Sequence, residues 1–241
     1  MLGSAIRSAL ALLALAITLG GCAPVPVLQT PDAPAASPSE EARVRADAAV
    51  RRFVEVVDRV EPVAEAECRE ISPALDCDFR IVVDDRPGLP PNAFQTRDPA
   101  GRPVVALNIP LIATVRNADE LAFVIGHEAA HHVLGHIDRQ RENARAGALV
   151  FGEIAARGGA GLEAVRSAQE VGAILGARSY SKDFELEADA LGTVIAARAG
   201  YDPVRGAAFF TRLPDPGNRF LGTHPPNAAR IDLVRRVAAG L

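Results

Sequence analysis

The period of the apolar positions changes several times along the chain, and each change marks an element. From Ala9 to Leu19 the run is apolar but for Thr18, behind Arg7, and it is too short to span a bilayer as a mature helix. Residues 23–36 have no period, and Pro24, Pro26, Pro31 and Pro34 break any regular element, so they read as an extended tether. Ser37-Pro38-Ser39-Glu40 offers an N-cap, a proline at the first helical position and a glutamate at the third, predicting a helix to about Val60. Phe79–Val83 reads as a strand stopped by Asp84-Asp85-Arg86-Pro87-Gly88. Asn92–Thr96 is a candidate edge strand, and Arg102–Leu107 a further strand. From Asn117 the period becomes helical. Asn117 with Glu120 reads as a capping box before Leu121, Val124 and Ile125. Residues 144–177, rich in Ala and Gly, read as loosely packed helices whose charges argue against a membrane span. Ser181 can cap a helix ending at Gly200, Asp202-Pro203 restarts one to about Leu213, and a last helix runs from Pro225 to about Ala239. The sum predicts an α+β fold, mainly helical with a small mixed or antiparallel sheet. It also predicts a leader over 1–21, a tether over 22–36 and one folded domain over 37–241.

Composition narrows the class. With 241 residues, 49% hydrophobic and 23% charged, the chain can bury a core and is too apolar to be mostly disordered. A net charge of −4 gives no reason to expect a nucleic-acid partner. Leu19-Gly20-Gly21-Cys22 resembles the bacterial lipoprotein cleavage box, which makes Cys22 the acylated first residue and lipid the anchor. Ala23, where an aspartate would resemble an inner-membrane signal, points to the outer membrane, facing the periplasm. Export leaves Cys68 and Cys77 as an even pair in an oxidising compartment, which favours a disulfide over two free thiols.

Histidine carries the chemistry. Four of the five histidines fall together, at His127, His131, His132 and His136, and the fifth is His224. His127-Glu128-Ala129-Ala130-His131 is HExxH. On a helix its histidines lie about 40° apart and one turn along, so both can bind one ion, while Glu128 reaches a water there without being a ligand. Zinc suits such donors. The third ligand must come from elsewhere, because Leu134 and Ile137 stand where a metzincin has Gly and His. In Phe184-Glu185-Leu186-Glu187-Ala188-Asp189, Glu185 and Asp189 share a flank with the small residues Gly192 and Ala196, which permit close approach of another helix. Glu185 is therefore favoured as ligand, with Asp189 orienting a ligand histidine and Glu187 a surface acid. His132 and His136 read as neighbours without chemistry.

Asn117-Ala118-Asp119-Glu120-Leu121, the HEAAH segment with His136 five residues on, Glu185-x-x-x-Asp189 and Thr223-His224-Pro225-Pro226 together are similar to the CAAX-prenyl-protease/HtpX family of gluzincin metallopeptidases. The resemblance covers roughly residues 40–241, and its nearest branch is the periplasmic lipoprotein peptidases, here without a C-terminal repeat domain. It implies a zincin-like domain with the HExxH helix at its active site and one zinc ion on His127, His131 and Glu185. Glu128 would then serve as general base and acid. His224 would either donate to the oxyanion or occupy the open zinc position. Asn92, Ala93 and Phe94 resemble the family's substrate-side edge strand, although Thr96-Arg97-Asp98-Pro99-Ala100-Gly101 replaces its usual glycine-rich stretch. Substrates would be unfolded or misassembled envelope proteins. A rival class is a non-proteolytic, chaperone-like envelope lipoprotein that keeps zinc only for structure.

Overall fold

The computed structural model describes residues 39–219 and 222–241. The leader, the tether and Cys22 lie outside them. The elements run α1 Glu40–Ile71, β1 Arg80–Asp84, β2 Ala93–Arg97, β3 Pro103–Asn108, α2 Ile109–Thr114, α3 Ala118–Val133, α4 His136–Arg157, α5 Leu162–Ser179, α6 Ser181–Arg198, α7 Pro203–Ala207 with a 3-10 turn Ala208–Arg212, and α8 Asn227–Ala238. The fold is α+β and mostly helical. No helix among the described residues is long and apolar enough to cross a membrane.

The centre is α3, which is apolar nearly all round and buried nearly all round, with Leu121, Phe123 and Ile125 at its heart. Asn117 caps it, accepting from the Glu120 backbone N–H at 2.9 Å. The expected capping box is only half made. The Glu120 carboxylate turns away to accept from the Arg116 N–H at 2.7 Å and takes both guanidinium nitrogens of Arg212, at 2.7 and 2.6 Å. An ion pair this buried outcompetes a solvent-side cap, and it ties the start of α3 to the turn after α7. Arg212 and the N–H of Arg116 hold the Glu120 carboxyl below its ordinary range, although burial alone would raise it.

The sheet has the order β1-β3-β2, with β1 parallel and β2 antiparallel to β3, so it is mixed. Asn108, at the end of β3, fixes the entry to β2. Its side chain accepts from the N–H groups of Asn92 and Leu111 and donates to the Pro90 carbonyl. The first of these aligns the edge strand, and the second caps the short α2, which was not among the expected elements.

Both limits of α1 differ from expectation, and Ser181 does not cap α6 but opens it, donating its hydroxyl back to the Ala177 carbonyl. The N-cap of α1 is Ser39, accepting from Ala42, rather than Ser37. The helix also continues through Pro62 to Ile71. A proline inside a helix costs a backbone bond, about 3 kcal/mol, and the buried stripe Val56, Val60, Ala64 and Cys68 offsets it. Cys68 and Cys77 are disulfide-bonded, with Cα atoms 5.6 Å apart, pinning the end of α1 to the segment that enters β1.

Residues 144–177 belong to a tight hairpin rather than a loose one. A Cβ on Gly147 or Gly172 would collide with the other's backbone, and one on Gly176 would strike the carbonyl of Asn143. Bare backbone against bare backbone is what brings α4 and α5 this close. Most of the hairpin's other side chains remain at least partly exposed.

Candidate metal centre

Two helices supply the cluster because glycine lets them touch. Where α3 crosses α6, a Cβ on Gly192 would lie 2.8 Å from the His127 backbone nitrogen. That approach sets the Glu185 side of α6 against the histidine side of α3. Phe184, Ala188 and Ile195 turn the neighbouring stripe of α6 into the core.

The donor atoms converge. His127 Nε2 and His131 Nε2 are 3.1 Å apart. The carboxylate of Glu185 lies 3.6 Å from His127 Nε2 and 3.4 Å from His131 Nε2. All three donors lie within 4.8 Å of one another. Two nitrogens and one oxygen at about 2.0–2.2 Å from a shared tetrahedral ion would show spacings of this size.

The surroundings assign the ring tautomers. Asp189, fully buried, accepts from Nδ1 of His127 at 2.9 Å, leaving the Nε2 lone pair aimed at the cluster. On the other ring, Nδ1 of His131 meets Nδ1 of His136 at 2.8 Å, and Nε2 of His136 faces Glu187 at 3.1 Å. The carboxylate can only accept from His136 Nε2–H. His136 Nδ1 is therefore the acceptor, and His131 donates through Nδ1–H. Both ligand histidines thus present Nε2 lone pairs 3.1 Å apart, an arrangement that repels unless a cation lies between them. Burial, reinforced by the nearby His131, pushes His136 down to about 4 against the pull of Glu187, which keeps it the neutral acceptor this chain requires.

His136 and Glu187 are corrections to expectation. His136 does not continue the α3 spiral, because Gly135 takes φ 65° and starts a new helix that swings His136 back onto His131. Glu187 is half exposed but paired, holding Arg139 as well as His136. His132 is buried for another purpose, donating Nε2–H to the Asp76 carbonyl at 2.7 Å beneath the edge of Phe79.

Arg230, on α8, was not among the sequence candidates. Its guanidinium grips Asp189 with two hydrogen bonds of 2.7 Å, approaches Glu185 at 3.4 Å and lies over the Phe210 ring. Burial would raise the Asp189 and Glu185 carboxyls, but both are held below the ordinary range. Arg230 and His127 do this for Asp189, and His131, His127 and Arg230 for Glu185. His127 is shifted up, because the bond to Asp189 and the charge of Glu185 outweigh its burial. With Glu128 on the same wall, three carboxylates face one guanidinium, a formal charge of −2 that a divalent cation would neutralise.

The cluster floors a cleft of about 430 Å³. Asn92, Ala93 and Phe94 form one wall, at the outer strand of the sheet. Half-buried Glu128 faces the cleft. His224 also lines it, with Nε2 3.8 Å from Glu185 and Nδ1 at 2.9 Å from the Thr223 hydroxyl. Asn92, Ala93, Phe94, His127, Glu128, His131, Glu185 and His224 therefore line one cleft, and Asp189 lies buried behind its His127 wall. Cys68 and Cys77 lie apart from it.

Comparison with known proteins agrees in kind. Over 132 residues, 51% of this chain, the sequence is 35% identical to a Vibrio cholerae protein named "Putative beta-barrel assembly-enhancing protease". The chain spans 26% of that relative's length. The model of Peptidase family M48 matches residues 51–238, a span that holds every element of the cluster. The chain belongs to Peptidase family M48.

Proposed function

We propose that this protein is a zinc-dependent endopeptidase, anchored by acylated Cys22 to the outer membrane and facing the periplasm. Its task is to cleave misfolded or stalled envelope proteins. The observation that carries the activity is the pair of Nε2 lone pairs converging with Glu185 at the floor of a cleft that Glu128 also lines. The location rests on the lipoprotein-like leader, and the choice of envelope substrates is supported by the name of the Vibrio cholerae relative.

His127, His131 and Glu185 would hold the ion, which when bound supplies Lewis acidity to polarise the scissile carbonyl and lower the pKa of water. The protein's own residues do the rest. An extended substrate adds to the outer edge of β2 through its main chain, a mode that reads backbone more than side chains. Glu128 takes a proton from the attacking water and passes it to the leaving amine. His224 donates a hydrogen bond to the carbonyl oxygen as its charge develops. Arg230 and Asp189 hold His127 in its tautomer, and His136 does the same for His131.

The test pairs metal content with cleavage of casein by wild type and Glu128→Gln, each with and without chelator. We expect about one zinc per chain in both proteins, and a loss of turnover of about 10²–10⁴-fold in Glu128→Gln. Equal cleavage in all four samples overturns the reading. A Glu185→Ala protein that keeps stoichiometric zinc removes Glu185 from the ligand set. A Cys22→Ser protein that still partitions with membranes removes the anchor.

A further inference from the structure

The hydrogen-bond period of β2 sorts its residues into two sets. The Asn108 N–H donates to the Asn92 carbonyl and the Asp98 N–H to the Arg102 carbonyl, both at 3.0 Å, so the ladder to β3 is bonded at the even positions. Phe94 and Thr96 therefore turn their main-chain groups to Ala106 and Val104. Ala93, Gln95 and Arg97 stand opposite Leu107, Val105 and Pro103 as non-bonded pairs, and Pro103 has no N–H to give. The N–H and C=O groups of these three residues point away from β3. No strand among the described residues pairs with that edge, and Ala93 and Gln95 line the cleft beside it.

The same period sends the three side chains to one face of the sheet, and each ends on a different part of the molecule. Ala93 packs against the core. Gln95 Nε2 reaches His132 Nδ1 at 3.4 Å. Because His132 gives its Nε2–H to the Asp76 carbonyl, Nδ1 is the nitrogen that can accept. Arg97 holds both carboxylate oxygens of Asp138, at 3.3 and 2.6 Å. His132 directly follows the ligand His131 on α3, and Asp138 lies in the first turn of α4, just after His136. The residues that offer main chain at the free edge are thus fastened, through their side chains, to the segment that carries the metal ligands.

We infer that His132 and Asp138 are positioning residues for the substrate, acting through Gln95 and Arg97 to hold the edge strand ready relative to the cluster. The inference rests on the endopeptidase reading, in which an extended chain adds to β2. That chain takes its main-chain bonds from Ala93, Gln95 and Arg97, which together span about 14 Å, the length of about five extended residues. A loose edge strand would have to be ordered by each substrate that binds it, and a fastened one has that cost removed beforehand. Stability does not account for the fastening. The side chains of Arg97 and Asp138 are 27% and 45% exposed, and ion pairs as open as this add little to folding.

The test compares substrates of two lengths, a quenched octapeptide from β-casein and a blocked dipeptide that carries the same cleaved bond. In the zinc-loaded enzyme, Gln95→Leu, Arg97→Met and Asp138→Asn should each raise KM for the octapeptide about fivefold, with kcat unchanged. KM for the dipeptide, too short to follow the strand, should not move. The Arg97→Met, Asp138→Asn double variant should be no worse than either single one, because both remove the same contact. Arg97→Lys should fall between wild type and Arg97→Met, since lysine keeps the charge and loses the fork. Arg157→Met, which breaks the exposed pair with Glu153, is the control and should match wild type. In the metal-free protein, amide hydrogen exchange at Phe94 and Thr96 should quicken about fivefold in the three single variants, reading the strand without substrate. In a Glu128→Gln background, the Kd for the fluorescein-labelled octapeptide should weaken by the same factor. A wild type that cuts nothing removes the peptidase reading, while the Kd and the exchange rates still read the strand. Unchanged KM and Kd for the octapeptide overturn the inference. So does an equal rise in KM for both substrates, or loss of stoichiometric zinc in the three variants, because either result assigns the contacts to the integrity of the metal site.

Discussion

Two helix pairs in this molecule are closed by the same device and put to opposite use. Where α3 meets α6, Gly192 lies against the backbone of His127, and where α4 meets α5, Gly147 and Gly172 lie against each other. The first pair is buried and carries nearly all of the cluster's charge. The second leaves most of its side chains partly or fully exposed. A glycine contact by itself therefore says nothing about function. What decides it is the flanking positions: Glu185 and Asp189 beside Gly192, but Val150 and Val171 beside Gly147 and Gly172.

The largest expected effect breaks the comparison at its first half. A Cβ at Gly192 would press on the His127 amide, which is backbone and cannot give way. Overpacking of this kind costs about 1–3 kcal/mol or more, and it forces apart the helices that supply the ligands. Gly192→Ala should lose stoichiometric zinc by elemental analysis and unfold at lower urea. Gly172→Ala should strain the hairpin and keep its zinc. If Gly172→Ala also loses the ion, the two pairs are not independent and the contrast fails.

Arg230 shows where sequence legibility ended. The HExxH helix, the Glu185–Asp189 flank and the edge strand could all be read because their chemistry is local, within a few residues of chain. Arg230 reaches Asp189 and His127 from a different helix, 41 and 103 residues away, and looks like any arginine of α8. One signal was present: it shares an i, i+4 stripe with buried Val234, where arginine has no place unless it meets a buried acid. His136 read as a neighbour without chemistry, because the positive φ of Gly135 that swings it back onto His131 leaves no mark in the spacing of the histidines. Within the fold, α2 was passed over although its signal is local, Asn108 capping Leu111 three residues on with Pro110 between them, whereas the length of α1 was unreadable because the buried stripe around Pro62 is set by tertiary packing.

The second effect sharpens the buried half. Arg230→Met strips Asp189 of a bidentate partner in the interior. Breaking a buried pair by removing one member costs about 3–5 kcal/mol. Urea unfolding should show a loss of that size, and zinc competition should show weaker affinity. The smaller change Glu187→Gln, on the half-exposed side of the same network, should weaken zinc by about tenfold at most. A Glu187→Gln loss as large as that of Arg230→Met would mean that the His131 side is as tightly determined as the His127 side.

The disulfide gives an intermediate value. Cys68 and Cys77 are separated by 9 in sequence, and closing so short a loop stabilises by about 2–3 kcal/mol. The Cys68→Ala, Cys77→Ala double variant should lower the Tm and leave the cleavage rate per folded molecule unchanged.

The finest contrast is between two ion pairs of like chemistry. Glu120 with Arg212 belongs to the buried half, and Glu153 with Arg157 to the exposed hairpin. The folded-state pKa of Glu120 lies below its ordinary 4.5. Its contribution is therefore fully present above that ordinary value and fades as pH falls through the lower folded one. Glu120→Gln should cost roughly 3 kcal/mol at pH 7, and its Tm deficit should shrink toward pH 3. Glu153→Gln removes a solvent-exposed i, i+4 pair worth about 0.3–0.5 kcal/mol. Differential scanning calorimetry of the two variants across that range measures the difference directly. Equal deficits would mean that Glu120 is as well solvated as the hairpin surface. In that case its arginine, rather than a backbone amide at the head of α3, would no longer explain why the capping box is left half made.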